Sequence, residues 1–169
     1  MTIKKLRILN VGCGTEIYGT DFIDFYPSRK GVKRCDIDRN RFPYSDSTFD
    51  QVYSKMVFEH LTNPAHFLSE CNRVLKTGGK IIIITDNAGM HGLIGRVHTG
   101  NYEVEHADHP YDRHYMLFTP HHMRNWLTKF GFEIKYVKYA RYDNDFRISA
   151  LVFLSDKLSP NLIAEGVKI

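Results

Sequence analysis

The sequence predicts an α/β domain whose mostly parallel sheet ends in an antiparallel pair of strands. Short apolar segments alternate with helical ones along the chain, which is the pattern of parallel α/β sheets. Four consecutive isoleucines at 81–84 favour a strand buried on both faces, as in the middle of such a sheet. The last two apolar segments, 132–142 and 147–154, have no helical segment between them and predict the antiparallel pair.

Each remaining element has a local reason. Four apolar or alternating segments predict the first strands, which are 6–11, 20–25, 31–37 and 49–55. A helix is predicted from Pro64, with Asn63 as its N-cap, up to the "KTGG" segment at 76–79. A second helix is predicted from Pro120, with Thr119 as its N-cap, up to Gly131.

Composition bounds the class of protein. The 169 residues predict a single domain over 1–169. A net charge of +4 without a basic run gives at most weak support for nucleic acid, which is not the expected partner. Three widely spaced cysteines are typical of free thiols in a reducing compartment, so we expect a cytoplasmic protein. No apolar run approaches the roughly 20 residues of a membrane-spanning helix.

A glycine-rich loop follows the first strand. Gly12, Cys13 and Gly14 would let a ligand approach the backbone closely, although a purely structural turn is the alternative. The nicotinamide fingerprint needs a third glycine where Ile17 stands, and an acidic residue about 20 positions on. Here Asp24 comes only ten positions after Gly14, so a dinucleotide is not expected.

Several further segments occur in a specific order. Asp24 and Asp36 end the second and third strands, "FDQVYS" forms the fourth, "EHL" follows it, and "RVLKTGGKIIII" comes next. Together they resemble the class I S-adenosylmethionine-dependent methyltransferases, in the branch with the methyltransferase type 11 signature. The resemblance covers about residues 6–86 and, more loosely, 113–134. It implies a Rossmann-like, doubly wound fold and S-adenosylmethionine as cofactor.

The resemblance also implies roles for individual residues. The residues placed along the methionine part of the cofactor are Gly12, Cys13, Gly14, Ser54, Lys55 and Met56. The residues placed at the ribose and adenine are Asp24 with Phe25, and Asp36 with Ile37. A carboxylate suits the ribose diol because it offers two acceptor oxygens. From the residues alone, both aspartates could instead cap strand ends, and Ser54 could simply fill a loop.

The sequence departs from the family at its beginning. Asn10 stands where the family often has an acidic residue. The resemblance places it in the cofactor-binding set, where we expect it to order the loop and to contact the cofactor's ammonium group more weakly than an acidic residue would. Residues 12–19 leave room for only one turn in place of the first crossover helix, so the crossover is predicted to be shortened. We therefore expect the tail, 158–169, or a second subunit in a homodimer, to cover the sheet near Ile8 and Ile23.

The expected reaction is methyl transfer, by in-line displacement, to an oxygen, nitrogen or carbon atom of a small molecule or glycan unit. The "[DNS]PP[YFW]" motif of base-amino methyltransferases is replaced by "YSKM", and the cysteines do not match a cytosine methyltransferase. An RNA or protein methyltransferase and an inactive cofactor-binding scaffold are the alternatives. His60 is the candidate general base, and a structural hydrogen bond is its alternative role.

A long polar, histidine-rich stretch at 86–118 predicts a lid inserted after the central strand. Glu103, His106 and His109 recur at three-residue intervals, but Pro110 favours a loop over a helix there. We therefore expect no metal site.

Overall fold

The computed structural model describes residues 6–89, 114–140, 157 and 159–169. Seven strands form one sheet in the order β3-β2-β1-β4-β5-β7-β6. Their bounds are Ile8–Val11 (β1), Asp21–Asp24 (β2), Val32–Arg34 (β3), Phe49–Lys55 (β4), Leu75–Asp86 (β5), Phe132–Ala140 (β6) and Asn161–Lys168 (β7). Neighbours among β1 to β5 run parallel, whereas β7 runs antiparallel to both β5 and β6. The predicted α/β class, with a parallel sheet that ends in an antiparallel pair, is confirmed.

Both predicted helix starts are confirmed. Helix α1 spans Pro64–Val74, and the side chain of Asn63 accepts a hydrogen bond from the backbone N–H of His66. Helix α2 spans Pro120–Lys129, and Thr119 caps it in the same way. Within the described ranges, neither helix is long and apolar enough to cross a membrane.

The hydrophobic core lies between the sheet and the two helices. Helix α1 buries one face, made of Phe67, Leu68, Cys71 and Val74. Fully burying each large apolar side chain contributes about 1.5–3 kcal/mol. A 3₁₀ turn, Phe58–His60, follows β4, and the Phe58 ring stacks on that of Phe118 with centroids 4.6 Å apart. The core therefore fixes the residues that come directly after β4.

The first crossover is short, as predicted. Strands β1 and β2 pair in parallel although the residues between them form only turns and bends. The loop supplies its own cover, because the Tyr18 ring packs against that of Tyr53 with centroids 4.6 Å apart. The side-chain amide of Gln51 also donates a 2.8 Å hydrogen bond to the Tyr18 hydroxyl. Tyr18 thus shields part of the sheet face that the missing helix leaves uncovered.

The prediction that the tail covers this face is wrong. Residues Asn161–Lys168 form β7, which lies between β5 and β6 in the other half of the sheet. Gly166 permits this close packing, since a Cβ there would lie 3.0 Å from the Cβ of Phe132. Segment 147–154 was predicted from the sequence to be the antiparallel partner of β6, and it lies outside the described residues.

Candidate functional site

The loop after β1 turns sharply at two glycines. Gly12 has a φ of +68°, and a Cβ on it would lie 2.5 Å from Cγ2 of Val57. Gly14 has a φ of +49°, but among the described residues a Cβ there would meet no atom within 4 Å. Packing therefore requires a glycine at position 12, whereas position 14 faces open space at the carboxyl edge of the sheet.

Asp24 closes this loop onto the end of β2. Its two carboxylate oxygens accept hydrogen bonds from the backbone N–H groups of Gly14 and Tyr26, each at 2.8 Å. Each carboxylate oxygen can accept more than one hydrogen bond, so the group retains acceptor capacity for a diol. The strand-end cap that the sequence left as an alternative is present, and it also places the carboxylate beside Gly14.

A cavity of about 300 Å³ opens at the carboxyl ends of β2, β3 and β4. Its lining includes Phe25, Asp36 and Ile37 from the predicted cofactor set, together with His60 and Tyr115. The lining also includes Asp38 and Arg39, but the apolar side chains of Phe25 and Ile37 beside the carboxylate of Asp36 suit a flat heterocycle that bears an amino group. These residues therefore fit the adenine end of the predicted cofactor.

The side chain of Asn10, in β1, holds the loop between β1 and β2 in place. Its side chain is almost fully buried, and its Nδ2 donates a 2.9 Å hydrogen bond to the carbonyl of Tyr18. Its Oδ1 is also buried, and within the described part of the chain no donor reaches it. A buried acceptor in this state costs about 1–3 kcal/mol, and a ligand N–H group could satisfy it.

Cys13 is buried in the same loop. Burial, with a smaller contribution from the nearby charge of Asp24, raises the pKa of the Cys13 thiol. The side chain therefore stays neutral and packs as a small apolar group.

The three residues predicted at the end of β4 make different contacts. Ser54 is fully buried, and its hydroxyl donates a 3.0 Å hydrogen bond to the carbonyl of Val11, so its side chain joins β4 to β1. Lys55 Nζ lies 3.0 Å from a carboxylate oxygen of Glu16 in the glycine loop. Both charged groups therefore lie at the carboxyl edge of the sheet.

Met56 has a left-handed backbone, with a φ of +53°. A non-glycine residue pays about 1–2 kcal/mol for this conformation. Its backbone N–H donates to the carbonyl of Ile84 over 2.8 Å, and its sulfur accepts a hydrogen bond from Asn161. Such strain concentrates at functional sites, and here it lies directly after β4.

His60 lines the cavity from the turn after β4. Its Nε2 lies 3.9 Å from Oε1 of Glu59, which is longer than a hydrogen bond. Glu59 has no exposed surface, and its Oε2 accepts a 2.6 Å hydrogen bond from the hydroxyl of Thr85. The predicted base therefore lies next to a buried carboxylate that is anchored to β5.

Two functional candidates were missed from the sequence. Nδ1 of His114 lies 3.1 Å from Oδ2 of Asp86, the last residue of β5, and its ring contacts that of His60 edge to face, with centroids 4.7 Å apart. The position of Asp86 was the available signal, since it is a carboxylate at the end of a strand, like Asp24. His114 was assigned only to the lid.

Most of the predicted lid, 90–113, lies outside the described residues, and so does the group Glu103, His106 and His109. Among the residues that are described, no three His, Cys, Asp or Glu side chains are arranged to hold a metal ion.

Known sequences place the chain in a family. A model of the methyltransferase domain matches residues 2–137. The chain is 30% identical to a demethylmenaquinone methyltransferase of Deinococcus radiodurans, over 54% of this chain and 47% of that protein. It is 23% identical to a ubiquinone biosynthesis O-methyltransferase of Nitrosococcus oceani, over 96% of this chain and 77% of that protein. The chain thus spans about half the length of the first of these relatives.

Solved structures show the same fold. An S-adenosylmethionine-dependent methyltransferase from Mesorhizobium loti superposes with a TM-score of 0.68 at 20% identity, covering 96% of this chain and 91% of that one. One from Methanosarcina mazei gives a TM-score of 0.68 at 15% identity, covering 99% and 94%. These likenesses confirm the doubly wound, Rossmann-like fold. With the family match over residues 2–137, they establish that the chain belongs to the methyltransferase domain family, that of the class I S-adenosylmethionine-dependent methyltransferases.

Proposed function

We propose that this protein transfers the methyl group of S-adenosylmethionine to an oxygen, nitrogen or carbon atom of a small molecule or glycan unit. One observation carries the proposal. The glycine loop, Asp24 and the cavity lined by Asp36 meet at one edge of the sheet. Ligands of doubly wound sheets bind beyond the carboxyl ends of the strands, which is this edge.

The residues at this edge divide the binding work between them. Asp24 would accept hydrogen bonds from the ribose hydroxyls, and Asp36 would accept one from the adenine amino group between Phe25 and Ile37. The open space at Gly14 leaves room for the methionine part beside the backbone. The buried Oδ1 of Asn10 would accept a hydrogen bond from the ammonium group.

The cofactor supplies a methyl group bound to a sulfonium, which is already activated for displacement. The protein has to align the acceptor behind that methyl group and exclude water. His60 lies in the turn directly after β4, the strand whose end is proposed to lie along the methionine part, and it is a candidate to receive a proton from the acceptor. The strained backbone of Met56 supports a functional role for the segment after β4.

Small-molecule acceptors are also proposed from the relatives, whose names refer to menaquinone and ubiquinone compounds. The three cysteines are free thiols, which is typical of reducing compartments and supports a cytoplasmic location. A homodimer remains a proposal that size-exclusion chromatography with light scattering tests directly.

The proposal is tested with a deuterated donor. The protein is incubated with trideuteromethyl S-adenosylmethionine and a protein-free small-molecule extract, and the products are analysed by mass spectrometry. We expect new compounds that carry the deuterated methyl group, and their loss in the Asp24→Ala variant. Failure of the wild-type chain to bind either S-adenosylmethionine or S-adenosylhomocysteine would contradict the proposal.

A further inference from the structure

We infer that the ring of Tyr115 stacks on the adenine of the bound cofactor. The inference rests on the proposed function and deepens it, because it adds to the cofactor site a residue that no strand end supplies. The proposed adenine contacts Phe25, Asp36 and Ile37 follow β2 and β3 closely. Tyr115 instead belongs to the end of the stretch predicted as a lid, and it precedes α2.

Tyr115 lines the same cavity as these three residues. The cavity measures about 300 Å³, which is the lower end of the range for small-molecule sites. A flat heterocycle that fills so small a space contacts several of its walls at once. The adenine proposed to bind here would therefore find its stacking partners among the residues that line the cavity.

The backbone of Tyr115 is held in place by the turn after β4. The backbone N–H groups of Tyr115 and Met116 donate hydrogen bonds of 2.9 and 3.2 Å to the carbonyl of Glu59. Met116 packs against the hydrophobic core, and the buried ring of Phe118 stacks on that of Phe58. Because this segment is fixed without a ligand, little conformational freedom is lost when Tyr115 binds one.

The ring of Tyr115 is available to a ligand. Tyr115 is 51% exposed, whereas Phe118, three residues later, is 2% exposed. Within the described ranges, the Tyr115 ring packs against no other aromatic ring and its hydroxyl has no hydrogen-bond partner. A half-exposed aromatic ring on the wall of a cavity can offer a face to a flat heterocycle inside it.

The two carboxylates of the cavity have different tasks. Both oxygens of Asp38 already accept hydrogen bonds, one from the hydroxyl and N–H of Thr62 and the other from the N–H of Asn63. Asp36 accepts a 3.1 Å hydrogen bond from the N–H of Asp38 through Oδ1, and among the described residues no donor reaches its Oδ2. Asp36 is thus the carboxylate left to accept from the adenine amino group.

That hydrogen bond would orient the adenine. An exocyclic amino group lies in the plane of its ring, so the contact with Asp36 fixes one edge of the heterocycle and leaves both faces to other side chains. Aromatic side chains stack on bases because every base presents a π-face. Asp36 would therefore bind the edge of the adenine, and Tyr115 would cover a face.

Arg39 is the rival stacking partner on the cavity wall. A guanidinium also packs on aromatic rings, and Arg39 is exposed. Its long, flexible side chain loses more conformational freedom on binding than a tyrosine ring does. The ring of Tyr115, on a backbone that is already anchored, is therefore the stronger partner.

The first experiment is isothermal titration calorimetry of the 169-residue chain with S-adenosylhomocysteine. The dissociation constant is measured for the wild type, for Tyr115→Ala and for Tyr115→Phe. Arg39→Ala tests the rival partner. Tyr136→Ala is the matched control, since it removes a tyrosine from β6, at the far end of the sheet from β2 and β3.

We expect Tyr115→Ala to weaken binding by about 5- to 150-fold, the usual effect of removing an aromatic ring that stacks on a base. Tyr115→Phe should bind as the wild type does, because it keeps the ring and loses only the hydroxyl. Arg39→Ala should lose less affinity than Tyr115→Ala, and Tyr136→Ala should lose none.

Fluorine NMR on the wild-type sequence keeps the inference testable if Tyr115→Ala folds poorly. The chain is labelled with 3-fluorotyrosine, and the resonances of Tyr115 and Tyr136 are identified by their absence from the Tyr115→Phe and Tyr136→Phe variants. A ring stacked on adenine lies in the shielding region of the base. Saturation with S-adenosylhomocysteine should therefore move the Tyr115 resonance upfield and leave the Tyr136 resonance in place.

An unmoved Tyr115 resonance in a protein saturated with S-adenosylhomocysteine would overturn the inference. A Tyr115→Phe variant that binds as weakly as Tyr115→Ala would also overturn it, because the hydroxyl and not the ring would then make the contact. A larger loss in Arg39→Ala than in Tyr115→Ala would assign the stacking to Arg39 instead. Absence of S-adenosylhomocysteine binding by the wild type would contradict the proposed function itself, and the inference with it.

Discussion

The backbone N–H of Gly14 donates a 2.8 Å hydrogen bond to the carboxylate of Asp24. This bond joins the glycine loop to the end of β2 across a crossover that has no helix. The same carboxylate also accepts from the N–H of Tyr26. The same side chain therefore shapes the loop and, in the proposed function, would also accept hydrogen bonds from the cofactor ribose, so the two roles need to be separated by experiment.

Asp24→Ala should weaken S-adenosylhomocysteine binding by about 10- to 100-fold, since hydrogen bonds to a charged group are worth about 1.5–3 kcal/mol. It should also lower the melting temperature, because the N–H groups of Gly14 and Tyr26 lose their acceptor. Calorimetry and thermal unfolding measure the two effects separately. Glu133→Ala, which removes an exposed carboxylate from β6, is the control and should change neither. An unchanged dissociation constant for Asp24→Ala would place the ribose contact elsewhere.

Alanine should be costly at Gly12 and cheaper at Gly14. At Gly12 the added Cβ meets Val57 at 2.5 Å and the backbone is left-handed, so we expect a loss of about 2–4 kcal/mol in the free energy of unfolding. At Gly14 only the backbone strain applies, about 1–2 kcal/mol. Denaturant titration measures both. Val57→Ala should restore part of the loss when combined with Gly12→Ala, and equal costs at the two glycines would refute the packing explanation.

Tyr18 should stabilise the protein in place of the missing crossover helix. Tyr18→Phe should cost about 0.5–1.5 kcal/mol because the amide of Gln51 loses its acceptor. Tyr18→Ala should cost more, since it also uncovers Tyr53. Ile17 is 82% exposed, so Ile17→Ala is the control and should change the free energy of unfolding by no more than about 0.5 kcal/mol. If Tyr18→Ala behaved like the control, the face would have another cover.

Acid should weaken the attachment of α1. Burial raises the pKa of Glu70. Hydrogen bonds from Arg73 and from the N–H of Phe42 together lower this pKa by more than burial raises it, so the net pKa lies below the ordinary value. A depressed carboxyl pKa contributes stability that is complete above the unfolded value of about 4.3 and is lost as pH falls through the folded value. Thermal unfolding between neutral and acidic pH measures this loss.

Glu70→Gln should be less stable at neutral pH and should lose less stability in acid than the wild type. An exposed control, Glu133→Gln, should follow the wild-type curve because its salt bridge with Lys135 is solvated. Parallel curves for Glu70→Gln and the wild type would show that the Glu70–Arg73 pair does not contribute.

Local signals made part of the fold predictable. Asn63 and Thr119 cap their helices as expected, because a cap is decided by residues within three positions. The isoleucine strand was also evident, since burial on both faces leaves no polar residue in 81–84. β7 was not predictable in the same way, because Glu165 and Gly166 lower its β-propensity. The need for a glycine at 166 becomes clear only from the neighbouring strands, whose Phe132 and Ile81 side chains lie close to it on either side.

The candidate site was also predictable only where local sequence decides the position of a residue. Gly14, Asp24 and Asp36 lie near strand ends, so their positions followed from the strands and their order along the chain. The pair of Asp86 and His114 joins residues 28 positions apart across a segment with no periodic pattern, and His60 joins it from another element. Such a cluster depends on the packing of the segment after the lid, which the local sequence does not specify.

The central claim is that this edge of the sheet binds S-adenosylmethionine and not a dinucleotide. Isothermal titration calorimetry of the 169-residue chain with S-adenosylhomocysteine and with NAD tests it most directly. We predict saturable, one-to-one binding of S-adenosylhomocysteine that Asp24→Ala weakens, and no heat of binding with NAD. Binding of NAD without binding of S-adenosylhomocysteine would contradict the account.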